Sequence, residues 1–263
     1  MTAKRPITSD QRRQLRNFVM ERLNKGIKQV GLDLDGLQRL LSRGGEFLAY
    51  MAEGIRRFSS ATPDYTLAQN ILGKDFITPE EVMAARPGVV YTDEQVAVLD
   101  RTLPSRENLE WLREHDYALV PAPPNAQSLV EHRSLVPTDF QNDNTWFLDP
   151  SQSFSRTDKT SPGWPAIKKT IVEGSPAKTW EKQQPLLSGV EHVPNAAELH
   201  WFLTTYHAVR KVRLMPTVYA RTSSVGQDGA RVYVGGFCVG APNVGGWDDE
   251  ADDSFGLAVA REF

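Results

Sequence analysis

The stretch from residue 121 to residue 190 limits the fold more than any other part of the chain. Proline, serine, asparagine and aspartate recur in it so often that regular elements there must be short. Pro121 and the Pro123-Pro124 pair stop the strand expected over Tyr117-Ala-Leu-Val120. Yet Trp146, Phe147, Phe154, Trp164 and Trp180 are spread through the same stretch, which marks a compact, loop-rich domain and not a disordered one. A chain of 263 residues makes one large domain or two small ones and buries a proper core. Its single cysteine, Cys238, excludes an internal disulfide framework and a cysteine-based zinc site.

Helical patterns precede this stretch. Asp10 can cap a helix reaching about Asn24, with Leu15, Val19, Met20 and Leu23 on one face. A second helix is expected near Asp35 to Ser42 and a third over about 46–58, before a linker at Ser59–Pro63. Thr78-Pro-Glu-Glu81 and Thr92-Asp-Glu-Gln95 are capping boxes, in which side chains satisfy otherwise orphaned amides. Ser105 opens a further helix over 106–115. After the loop-rich stretch, Asn195-Ala-Ala-Glu198 begins a helix reaching about Arg210, with Leu199, Phe202, Leu203, Tyr206 and Val209 on its apolar side. Strands are expected over 212–221 and 230–239, joined by a turn at Gln227-Asp228-Gly229, and over 256–263. The pattern is that of an α+β chain: a basic helical region (1–60), a helical connector (61–115) and a loop-rich domain with short antiparallel strands (116–263).

Charge is uneven. Residues 1–60 hold twelve Lys/Arg and six Asp/Glu, or +6 in a chain whose net charge is −3. Residues 232–263 hold six acids and only Arg261 as a base. Arg12, Arg13, Arg16 and Arg22 read as the solvated face of an amphipathic helix. A nucleic-acid-associated protein, using these with Arg56 and Arg57, is the alternative, though no RNP aromatic motif or zinc finger accompanies them. No apolar run reaches the length of a membrane span and no secretory leader is visible, so a cytoplasmic protein is the default, with virion or surface display left open.

Candidate catalytic groups are sparse. The histidines are His115, His132, His192, His200 and His207. His200 and His207 are two helical turns apart, and no third ligand stands at metal spacing, so a structural pair is the simpler reading. A hydrolase-type site built from His192, Glu198 and His200 is the enzymatic alternative. Nucleophile-elbow, P-loop and dinucleotide-binding patterns are all missing, so a non-catalytic protein is expected. The acidic run Asp248-Asp-Glu-Ala-Asp-Asp253 is costly unless solvated or bound to a hard cation such as Ca²⁺. It lacks the EF-hand pattern, and no cofactor is expected, calcium at this loop being the single candidate.

The segment from Tyr233 to Ser254 is unlike ordinary strand-loop-strand sequence. It is almost all Gly, Asp, Val, Ala and aromatics, without one Lys, Arg, Gln, Met, Leu or Ile. Glycine weakens a strand, so Gly235, Gly236 and Gly240 are poor choices if packing were the only demand. Together with Gly256-Leu-Ala-Val-Ala-Arg261, this segment resembles the variable region of a target protein of a diversity-generating retroelement, a family in which adenine-directed mutagenesis rewrites selected codons. The resemblance implies that Tyr233, Gly236, Cys238, Gly240, Gly245, Gly246, Asp248, Asp249, Asp252 and Ser254 are products of such rewriting. Glu250 is not a reachable product. It further implies a C-type-lectin-like fold over about 116–263, with a ligand-binding surface to which Trp247 and Asp253 also contribute and with the last strand as scaffold. The implied partner is a variable protein or carbohydrate, and the N-terminal helices would attach the domain to a larger assembly such as a phage particle. Ala241-Pro-Asn243 and Trp247-Asp-Asp249 only faintly echo the sugar-binding motifs of true C-type lectins.

Overall fold

A computed structural model describes residues 8–48, 51, 65–237, 240–248 and 250–263. The chain divides into two units, residues 1–59 and 60–263. In the first, α1 (Ser9–Gln29) is capped by Thr8, two residues before the expected Asp10. Thr8 accepts from the Gln11 amide while the Gln11 side chain accepts from the Thr8 amide, a complete capping box that leaves Asp10 in the first turn. Asp33 caps α2 (Leu34–Ser42). Neither helix buries a residue, and Leu15, Phe18 and Met20 are 42, 55 and 50% exposed. The arginines are likewise solvated, Arg13 pairing with Asp10 at 2.8 Å and Arg22 lying over the Phe18 ring. Most of the helix expected over 46–58, the linker, and Arg56 and Arg57 fall outside the described residues.

The second unit opens with α3 (Thr66–Leu72), α4 (Pro79–Ala85), α5 (Asp93–Arg101) and α6 (Arg106–Glu114). Thr78, Thr92 and Ser105 cap the last three as their spacing predicts, the first two as full capping boxes. These helices are not a separate connector. Tyr65, Leu72, Val82, Leu99, Leu109 and Leu112 share one core with Leu119, Ile167, Leu199 and Phe202. Tyr65, Phe76 and Trp164 meet ring to ring at 5.2–5.8 Å, joining the first helices to the loop-rich stretch.

Between residues 117 and 192 the elements are short, as the proline content requires: β1 (Tyr117–Leu119), α7 (Leu129–Leu135), α8 (Phe154–Thr157), β2 (Ala166–Lys168), α9 (Trp180–Gln183) and β3 (Glu191–His192). Indole N–H groups tie this irregular backbone down: Trp164 donates to the Leu99 carbonyl and Trp201 to that of Pro121. Trp201 belongs to α10 (Ala196–Arg210), capped by Asn195 in a capping box with Glu198. Every residue from Ala196 to Tyr206 is buried, so α10 is enclosed on all sides where its pattern promised one apolar face. It packs on α4, α7 and the sheet behind it.

That sheet has the order β6-β5-β4-β7, from β4 (Tyr219–Val225), β5 (Arg231–Gly235), β6 (Asn243–Trp247) and β7 (Phe255–Leu257). The other sheet has the order β1-β2-β8-β3, with β8 at Ala260–Arg261. All pairings are antiparallel, as expected, except β4 with β7, which run parallel. The strand expected over 212–221 starts only at Tyr219, because Lys211 and Met215 take positive φ and Pro216 has no amide to donate. The expected final strand divides between the two sheets. Ala258 still donates to the Arg221 carbonyl of one, and the Val259 carbonyl already accepts from Lys168 of the other.

Candidate functional site

Strand β6, an edge of its sheet, builds one wall of an open groove of about 700 Å³. The opposite wall is the loop 141–146, and Asp228 and Ala230 of the β4–β5 turn close one end. Asn144 holds the two walls together. Its side-chain amide donates to the Val244 carbonyl at 3.0 Å and to the Asn243 side chain, while Gln141 donates to the Ala241 carbonyl at 2.7 Å. Because the Val244 carbonyl faces Asn144 and not β5, the alternation of antiparallel pairing turns the Gly246 backbone outward beside it.

The lining contains three aromatic rings (Trp146, Tyr233, Trp247), four carboxylates (Asp143, Asp228, Asp248, Glu250) and no lysine or arginine. The two glycines of β6 make room for the rings. Tyr233 lies opposite Gly245 in the ladder, and a Cβ at Gly245 would fall 2.5 Å from its ring carbon Cζ. A Cβ at Gly246 would stand 3.1 Å from Trp146. Behind the groove the rings form one continuous layer. Trp247 stacks on Phe255 at 4.1 Å, Phe255 on Tyr219 at 5.1 Å, and Tyr233 meets both edge-on. Burial, and secondarily Tyr219, pushes the Tyr233 hydroxyl above its ordinary range, so it stays protonated as a donor at neutral pH.

The acidic loop is fixed through its backbone. Fully buried Arg221 donates to the Glu250 carbonyl at 2.7 Å, and Trp247 Nε1 donates to the same oxygen at 2.9 Å. Any residue supplies that carbonyl, so the Glu250 carboxylate is left for the groove. Asp252 accepts from the Ser254 amide at 2.6 Å and builds a turn.

Five of the twelve residues expected on a binding surface line the groove: Tyr233, Gly245, Gly246, Trp247 and Asp248. Gly236 is instead buried, with φ +61° and a Cβ position 2.5 Å from the Tyr219 ring, so it serves the fold and not a surface. Gly240 lines a different cavity, while Asp252, Asp253 and Ser254 lie on the loop beyond the groove. Cys238 and Asp249 lie outside the described residues. Sequence reasoning missed the whole loop 141–146. Its polar residues carried no motif, and its contacts are with strands about a hundred positions away.

The expected trio of His192, Glu198 and His200 does not assemble. His192 and Glu198 share a shallow groove, but His200 is absent from its lining and is completely buried. Glu198 is occupied at both oxygens, accepting from Ser161 through one and from the Asn195 amide through the other. His200 does not pair with His207 either. It stacks on Phe140 at 4.1 Å and meets His132 at Nδ1–Nδ1 3.3 Å. His132 Nε2 donates to Asp139 at 2.9 Å, so its Nδ1 accepts from His200. Burial holds the pKa of both imidazoles below the ordinary value, His200 the more strongly. This Asp–His pair touches a second imidazole where an activated nucleophile would have to stand.

Among the described residues no three His, Cys, Asp or Glu side chains converge as metal ligands, and no helix is long and apolar enough to cross a membrane. Set against known proteins, the chain matches no family model, no curated protein sequence and no solved structure.

Proposed function

We propose that residues 60–263 form a non-catalytic ligand-binding module, that the acidic, aromatic groove along β6 is its recognition surface, and that the chain is the target protein of a diversity-generating retroelement on a C-type-lectin-like frame. The observation that carries the binding reading is the groove's lining: three aromatic rings and four carboxylates with no cation among them. Carboxylates of one sign raise the local concentration of cationic groups, and rigid aromatic rings bury area with little loss of entropy, so the fitting ligand is a basic or hydroxyl-rich surface. The frame is fixed independently of the groove carboxylates, through the Arg221 and Trp247 bonds to one carbonyl and the Asn144 brace. Such a frame carries the ordering cost in advance and leaves a few side chains to set specificity.

Sequencing the 3′ end of the gene across a natural population tests the retroelement reading. Substitutions should concentrate at adenine positions of codons for groove residues, Tyr233 and Asp248 foremost, with Gly236 constant. An invariant 3′ end, with no imperfect repeat and no reverse-transcriptase gene nearby, would sink it. The binding reading stands or falls separately. Partner capture by the wild-type chain should be lost on replacing Asp143, Asp228 and Asp248 by asparagine, and capture unaffected by that replacement removes the groove.

A further inference from the structure

The two edges of the β6-β5-β4-β7 sheet are finished differently. At β7 the chain closes its own edge. The Leu257 amide donates to Ser175 Oγ at 2.9 Å, and the Leu257 carbonyl accepts from the Val172 amide at 3.0 Å. At β6 the closure is partial. The ladder turns the backbone groups of Asn243, Gly245 and Trp247 toward β5 and those of Val244 and Gly246 outward. The Asn144 side chain takes the Val244 carbonyl, as a neighbouring strand would. Among the described residues nothing answers the amide or the carbonyl of Gly246. Gly246 is only half-buried, lines the groove, and has no side chain to screen its backbone.

Open edge strands pair readily with other extended chains, and proteins blunt them with lysine, proline, a bulge or a covering segment. Asn144 covers Val244 in this way and goes no further. Strand β6, Asn243-Val-Gly-Gly-Trp247, contains no lysine or proline, and its register with β5 is unbroken. An outward amide and carbonyl on one residue are what exchange two hydrogen bonds with a single residue of an added antiparallel strand. The surroundings select the charge of that strand, since Asp143, Asp228, Asp248 and Glu250 line the same groove without a lysine or arginine. Successive side chains of a strand point to opposite sides, so basic residues at alternate positions set their charge along one wall. We propose that β6 takes an extended, basic peptide segment of a partner protein as an added antiparallel strand. It pairs through the Gly246 amide and carbonyl and places its lysine or arginine side chains among the four carboxylates. Main-chain bonds supply affinity, and the carboxylates and rings supply the choice of side chains. The inference rests on the β6 groove being the recognition surface and names the partner of that surface.

Calorimetric titration of the full chain tests this with an acetylated, amidated octapeptide of alternating lysine and threonine, and with the same peptide N-methylated at every residue. The first should bind saturably. The second keeps every charge but cannot pair, and should bind about tenfold more weakly or not at all, as expected for losing the main-chain bonds. Hydrogen exchange read by NMR should slow at the Gly246 amide when the unmethylated peptide binds. Replacing Asp143, Asp228 and Asp248 together by asparagine should weaken that peptide about tenfold. Absence of saturable binding overturns the proposal, as does saturable binding of maltohexaose in place of the peptide. Equal affinity for the methylated peptide, or a Gly246 amide that exchanges as fast in the complex, overturns the added strand. If the triple variant nonetheless loses affinity, the groove remains the recognition surface. Unchanged affinity in the triple variant overturns the proposal and the groove together.

Discussion

The β6 groove and the cavity that Arg86 and Gly240 line belong to the same unit and handle charge in opposite ways. In the groove, four carboxylates stand at an open surface, where solvent screens their repulsion, and among the described residues only Asp228 of the four bonds the fold, accepting from the Ala230 amide at 3.1 Å. Around Arg86 the charged groups are drawn into the packing and answer to one another: Asp139 to Arg86 and His132, His132 to His200. Charge at the groove is therefore free to change with the ligand, while charge in the cavity is part of the packing. The difference separates a surface that can be rewritten from one that cannot.

The largest effect that would sharpen this contrast is Arg86→Met. It leaves the Asp139 carboxylate buried without its cation and should cost about 3–5 kcal/mol in chemical denaturation. A loss no larger than that of a surface substitution would break the comparison. Next come two glycines of the unusual stretch 233–254. Gly236→Ala meets both a left-handed backbone, φ +61°, and the Tyr219 ring, and should cost about 2–4 kcal/mol. Gly240→Ala has φ +66° but nothing within 4 Å of the new methyl, so only the backbone term of about 1 kcal/mol remains. Equal losses at the two positions would show that steric room does not decide which residues can vary.

Acid should weaken the packing on the cavity side. His132 and His200 have folded pKa values below those of the unfolded chain, so both bind protons more readily when unfolded. Their contribution is thus complete above the unfolded value of about 6.5 and is lost progressively as pH falls below it. His200→Phe keeps the stacking on Phe140 and should flatten that acid slope, measured by urea unfolding at several pH values. A slope unchanged by the substitution would place the titration elsewhere. The smallest effect belongs to the groove: Asp248→Asn should leave the unfolding midpoint where it is and alter only ligand capture. A midpoint that moves would make the acidic loop part of the fold.

Much of this architecture was legible before any coordinate. Thr78, Thr92, Ser105 and Asn195 announced their helices because capping is local chemistry within four residues. The short elements between 117 and 192 followed from proline, which removes donors wherever it stands. Strand β6 was not legible. Asn243-Val-Gly-Gly-Trp247 has poor strand propensity, and its two glycines make sense only when Tyr233 and Trp146 lie against them. The enclosure of α10 escaped for the same reason, since His200, Thr204 and Thr205 look solvent-facing until Phe140 and the sheet cover them.

By itself the sequence determined the α+β composition, the caps, the loop-rich middle and the unusual make-up of residues 233–254. Tertiary structure alone decided which of those residues share a groove, that loop 141–146 completes it, and that Arg86, His132, Asp139 and His200 form one buried chain. The reason is range. Caps, turns and periodicity act over a few positions, whereas a site is made by groups about a hundred residues apart whose contact no local pattern encodes.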